Sequence, residues 1–266
     1  MGWDRITDRF SRLKARGEGA LLVYLMAGDP DLERSLSYLR AAVAGGADIL
    51  ELGIPFSDPV ADGPTIQGAA LRALTAGATP KTALELARAL REESEIPLVI
   101  MSYYNPILQW GEEAFTEEAA ACGVDGLIVP DLPPEEAGGL MQAAEKNGLA
   151  LIFLVTPESG EERVKVLAEY TRGFLYLVAR YGTTGAKGAL AEETLPLIRR
   201  MRALVPRKLP LVVGFGLARP EHVREVISAG ADGAVVGSRA VEQVAAGVAP
   251  EELAAFVHEL KEATLI

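Results

Sequence analysis

Eight short apolar or β-branched runs, at residues 21–26, 49–52, 97–102, 126–129, 150–155, 174–178, 211–214 and 233–236, alternate with longer segments of helical period. Strands separated by helices cannot pair as hairpins, so they imply βαβ units and a parallel sheet. Eight such units predict an α/β fold, a single-domain (β/α)8 TIM barrel spanning residues 1–266, with a doubly wound open sheet as the alternative. Counting strands does not decide closure. A helix pattern at 3–14 precedes the first strand, two more fill the span between the second and third, and 250–262 reads as the last helix. Thr79-Pro80 starts one of them, threonine as cap and proline in the first turn. Gly46-Ala47-Asp48, Gly123-Val124-Asp125 and Gly230-Ala231-Asp232 recur at helix-to-strand junctions, with glycine ending the helix.

Composition removes several classes of function. Apolar residues make up 49% and charged residues 24% of the chain, as in an ordinary globular protein. No apolar run reaches the roughly 20 residues that span a bilayer, and Met1-Gly2-Trp3-Asp4-Arg5 is not a secretion signal, so a cytoplasmic protein is expected. A net charge of −11 opposes binding to nucleic acid. It also means that any phosphorylated ligand must be held largely by backbone N–H groups. The single cysteine, Cys122, reads as structural.

Catalytic groups on a barrel sit just past the strand ends. Glu51 lies inside the second apolar run, where both faces of a parallel strand are covered and a carboxylate has no easy route to water. Asp62 follows in a proline-rich loop. Together they form a candidate acid/base pair, with the pKa of Glu51 expected to be raised by desolvation. Three glycine-rich segments follow the last three strands: Gly182 to Gly188, Gly214-Phe215-Gly216 and Gly237-Ser238-Arg239. The latter two stand where barrels often hold phosphate, with Lys187 and Arg239 as possible electrostatic aids. Tyr24, Tyr103, Phe153, Leu154, Tyr176 and Phe215 are candidates to line an apolar pocket at the same end. The only histidines, His222 and His258, fall in late helical segments, which disfavours a catalytic metal. No proposed strand contains lysine, which disfavours a Schiff base.

The run from Leu50-Glu51-Leu52-Gly53-Ile54-Pro55-Phe56-Ser57-Asp58-Pro59 to Ala61-Asp62-Gly63-Pro64-Thr65-Ile66-Gln67 closely resembles the signature of the tryptophan synthase α subunit family. The resemblance covers nearly the whole chain, through Tyr103 with Asn105, Pro130-Asp131, Thr184-Gly185, Gly214-Phe215-Gly216 and Gly237-Ser238. It implies a lyase that cleaves indole-3-glycerol phosphate to indole and glyceraldehyde 3-phosphate with no metal or organic cofactor in this chain. Glu51 would then exchange protons with indole C3 and the glycerol hydroxyl beside the ring, while Asp62 would hold the indole N–H.

By the same resemblance, Gly185, Gly214, Gly216, Gly237 and Ser238 bind phosphate, and Tyr24, Tyr103, Tyr176, Thr184 and Phe215 contact the rest of the substrate. Tyr24 stands where the family often has phenylalanine, so its hydroxyl is extra. The segment Ala179-Arg180-Tyr181-Gly182-Thr183 also departs from the family's commoner residues. A pyridoxal-phosphate β subunit is the implied partner in an αββα heterotetramer, with Asp58 on the contacting loop. Two other readings stand beside this one: a phosphate-binding barrel isomerase or epimerase, and a mainly regulatory partner subunit.

Overall fold

The computed structural model describes residues 2–179, 193–214 and 216–265. Its strands are β1 (Ala20–Met26), β2 (Ile49–Gly53), β3 (Leu98–Met101), β4 (Gly126–Ile128), β5 (Ala150–Ile152), β6 (Leu154–Val155), β7 (Leu175–Val178), β8 (Leu211–Gly214) and β9 (Gly233–Val236). The sheet order is β5-β4-β3-β2-β1-β9-β8-β7-β6, and every neighbouring pair is parallel.

The two ends of that order, β5 and β6, are consecutive in the chain and separated only by Phe153. The expected strand at 150–155 is therefore one barrel stave that changes partner, pairing with β4 up to Ile152 and with β7 from Leu154. Across the change, the Tyr176 N–H donates to the Phe153 carbonyl at 3.1 Å. The ring closes through this stave. The fold is a TIM barrel, and the open-sheet alternative is excluded.

Alternation along each strand divides the apolar residues into two cores. Leu22, Tyr24, Ile49, Val99, Ile152, Tyr176 and Val212 belong to the barrel interior, whereas Leu21, Val23, Leu50, Leu52 and Val213 belong to the layer between strands and helices. The N-terminal helix Gly2–Ala15 contributes Ile6, Phe10 and Leu13 to the interior core. The Phe10 ring lies 5.9 Å from Phe174, just ahead of β7, so this helix plugs the end where strands begin.

The three glycine–aspartate junctions share a further device. Gly46, Gly123 and Gly230 all have positive φ, as expected of glycines that end helices. Each following aspartate accepts a hydrogen bond at 2.8 Å from the first free N–H of the preceding stave: Asp48 from Leu21, Asp125 from Leu98 and Asp232 from Leu211. Lys261 and Arg9 balance Asp48, Arg5 and Arg91 balance Asp125, and Arg202 balances Asp232. These carboxylates stitch the staves together on the face away from the expected active site.

Two helices, Pro64–Thr75 and Pro80–Arg91, fill the span between β2 and β3, and the second has its capping threonine, Thr79. Arg72 on the first grips Asp29, in the loop after β1, through two contacts of 2.8 Å. The helix that begins just after Asp62 is thus tied to the barrel rim. The last helix is Pro250–Glu262. No helix among the described residues is long and apolar enough to cross a membrane.

Candidate active site

Because Leu50 and Leu52 face the helices, the residues alternating with them, Ile49, Glu51 and Gly53, face the barrel interior. Glu51 is only 1% exposed, and its Oε1 has no hydrogen-bond partner among the described residues. Burial alone pushes its pKa up to about 8, so at neutral pH it is a protonated acid enclosed at the barrel mouth.

Asp62 reaches the same region from the loop after β2, whose course is set by Tyr103 at the end of β3. The Tyr103 ring packs against Phe56 at 5.3 Å, its hydroxyl accepts the Ala61 N–H at 2.9 Å, and it bonds the Asp62 carboxylate. Burial raises the Asp62 pKa to about 6 even though the Tyr103 hydrogen bond pulls it down. Near neutrality one carboxyl therefore carries a proton while the other is ionised. That difference is what paired acid and charge-stabilising roles require.

Two tyrosines roof this pair, each lying over a glycine of the next strand. Tyr24 is in register with Glu51. A Cβ at Gly53 would lie 2.1 Å from the Tyr24 hydroxyl, and a Cβ at Gly214 would lie 2.1 Å from that of Tyr176. Burial, followed by the charges of Asp62 and Glu51, drives the Tyr24 pKa well up; burial and then Glu51 do the same to Tyr176. Both phenols stay neutral hydrogen-bond donors.

The expected phosphate residues divide into different environments. Gly237 is the N-cap of the helix Ser238–Ala246, so the free N–H groups of the first turn and the exposed Ser238 hydroxyl stand at the end of β9. Gly216 has φ +82°, and no atom of the described residues lies within 4 Å of a Cβ built on it. Gly214 is different, since the space beside it is taken by Tyr176. Thr184, Gly185, Lys187 and Phe215 lie outside the described residues.

The apolar lining differs in part from expectation. Leu154 belongs to the interior, but Phe153, one residue earlier, packs outward among the helices. Met101, Val178 and Ile66 join Leu154 as half-buried interior side chains. Sequence reading missed these three. Met101 could have been found from strand register, because it pairs with Gly53, two residues past Glu51 on the same face. Asp58 is exposed on the β2 loop, beside Val60, which is 86% exposed.

The sequence profile of the family described as "Tryptophan synthase alpha chain" matches residues 10–264. The chain belongs to this family. The tryptophan synthase alpha chain of Geobacter sp. (strain M21) is 47% identical over 98% of both chains, and that of Methanosarcina barkeri is 48% identical over 97% of this chain and 96% of the relative. Among solved structures, an Aquifex aeolicus protein superposes with a TM-score of 0.89 at 43% identity, covering 98% of this chain and 99% of the other. A Mycobacterium tuberculosis tryptophan synthase structure gives 0.90 at 35% identity, covering 98% of each. Family membership removes the isomerase reading, and the solved relatives carry the same barrel.

Proposed function

We propose that Glu51 and Asp62 cleave indole-3-glycerol phosphate to indole and glyceraldehyde 3-phosphate, the α reaction of tryptophan synthase. Glu51 gives its proton to indole C3, and ionised Asp62 balances the positive charge that then develops at the ring nitrogen. The Glu51 carboxylate takes the proton of the hydroxyl beside the ring. As the C–O bond becomes a carbonyl, the C–C electron pair returns to the ring, restoring indole and a protonated Glu51. Atoms and charge balance without a redox partner.

The observation that supports this reading best is the contrast between the two carboxyls. One is protonated up to a pH of about 8 and the other is ionised above about 6, at the mouth of one barrel. Phosphate would sit at Gly216, Gly237 and Ser238, with Gly185 and Gly214 nearby. Tyr24, Tyr103, Tyr176, Thr184 and Phe215 would surround the indole and its side chain. The chain would act as one domain in the cytoplasm, with no metal or organic cofactor of its own. Its partner would be a pyridoxal-phosphate β subunit in an αββα assembly, met through the Asp58 loop.

Glu51→Gln tests the assignment. The amide keeps the shape but cannot transfer a proton, so cleavage should fall by at least 10²–10⁴-fold while substrate binding persists. Indole release measured with the purified chain, alone and with a β subunit, reads the loss. Activity within about tenfold of the parent would remove Glu51 from the mechanism.

A further inference from the structure

Tyr24 connects the two ends of the site. A Cβ at Gly237, beside the helix N-terminus, would touch the Tyr24 Cβ at 3.3 Å, whereas its hydroxyl lies over Gly53 on the strand of Glu51. The ring therefore runs from the expected phosphate end to the carboxylate end, along the span that the substrate's three-carbon chain must cross. Tyr24 is 7% exposed, and the only hydrogen-bond contact of its hydroxyl among the described residues is the Met26 thioether at 3.9 Å. A buried phenol without an oxygen or nitrogen partner is a donor left free for a ligand. The Oε1 of Glu51, its register neighbour, likewise has no partner among the described residues.

We propose that the Tyr24 hydroxyl donates a hydrogen bond to the substrate oxygen that Glu51 deprotonates, making Tyr24 a third catalytic residue. The proposal rests on the retro-aldol reading given above. In the step, Glu51 removes the O–H proton, the O–H electron pair becomes the new C=O bond, and the C–C pair returns to the indole ring. Tyr24 transfers no proton. Its O–H dipole stabilises the negative charge on that oxygen as the proton leaves, and in the reverse direction it polarises the aldehyde carbonyl. Protonation of indole C3, by contrast, needs only Glu51 and Asp62, so the two halves of the reaction depend on Tyr24 differently.

Tyr24→Phe keeps the ring between Gly237 and Gly53 and removes only the donor. The parent and the variant are compared in three measurements: indole release from indole-3-glycerol phosphate, exchange of the indole C3 proton in D2O followed by NMR, and binding of indole-3-propanol phosphate, which lacks both chain hydroxyls. The expected result is a kcat for cleavage about tenfold lower, the effect of one hydrogen bond to a charged oxygen. The exchange rate and the affinity for the deoxygenated analogue should stay within twofold of the parent. A cleavage rate unchanged within twofold overturns the proposal, and so does an equal fall in cleavage and exchange, which would mark Tyr24 as packing alone. A parent that releases no indole would refute the retro-aldol reading itself, whereas an active parent matched by its variant would refute only the role of Tyr24.

Discussion

The hydroxyl of Tyr176 fills the space that a Cβ on Gly214 would need, only 2.1 Å away. The two residues are neighbours across β7 and β8, with Tyr176 in register with Val212 and leaning over the glycine two residues further on. Glycine at 214 is thus required by the tyrosine, whatever its relation to phosphate. Gly214→Ala should push Tyr176 away from Glu51, cost about 1–3 kcal/mol of stability through overpacking, and reduce cleavage. Urea unfolding together with indole release checks this. An unchanged midpoint and rate would show that Tyr176 moves aside freely.

Gly216 offers a contrast, because no atom of the described residues lies within 4 Å of a Cβ built there, yet φ is +82°. Gly216→Ala should cost about 1 kcal/mol through backbone strain. If phosphate fills the open space, the KM for substrate should rise by more than kcat falls. Steady-state kinetics with inorganic phosphate as competitor separates the two effects, and a KM equal to the parent's would take Gly216 out of the phosphate site.

The cleavage rate should follow a bell in pH. Asp62 must be ionised, which fails as pH drops through about 6, and Glu51 must carry its proton, which fails as pH rises through about 8. Tyr103→Phe removes the hydrogen bond that lowers the Asp62 pKa, so the acidic limb alone should move to higher pH. A profile of kcat/KM for both proteins decides it. Movement of the alkaline limb instead would interchange the two carboxyl assignments.

Glu51 should also cost stability. Its pKa is raised in the folded chain, so its favourable contribution is complete below the unfolded carboxyl pKa and is lost as pH climbs toward about 8. Glu51→Gln does not titrate. The variant should gain on the parent steadily between about pH 4.5 and pH 8, by about 4 kcal/mol at the upper end. Denaturant titrations at pH 5 and pH 8.5 measure the difference, and a constant gap would show that Glu51 is solvated.

Asp58 is exposed, and its loop lies between Glu51 and Asp62. Anything that fixes this loop also fixes the geometry of the two carboxyls. Asp58→Ala should leave the isolated chain's activity within about twofold of the parent but weaken stimulation by a β subunit. By reciprocity, it should also weaken the tightening of association caused by a substrate analogue. Titration of the β subunit with and without analogue reads both, and equal responses in the two proteins would remove Asp58 from the coupling.

The sequence by itself determined the alternation of strands and helices, the extra helices before β1 and after β2, and the singular position of Glu51. Those features are local, written in apolar period, caps and the cost of a charge within an apolar run. Tertiary structure decided what depends on neighbours distant in the chain. Closure rests on one stave changing partner at Phe153, and no periodicity within residues 150–155 encodes it. The inward turn of Leu154 and the outward turn of Phe153 follow from which partner each half of the stave meets. The glycine–aspartate junctions read only as helix ends, because the N–H each carboxylate holds belongs to a strand 21 to 27 residues earlier. At Gly214 the Tyr176 ring occupies the space that a side chain would need, and a missing side chain in a sequence records that space is needed but not which group fills it.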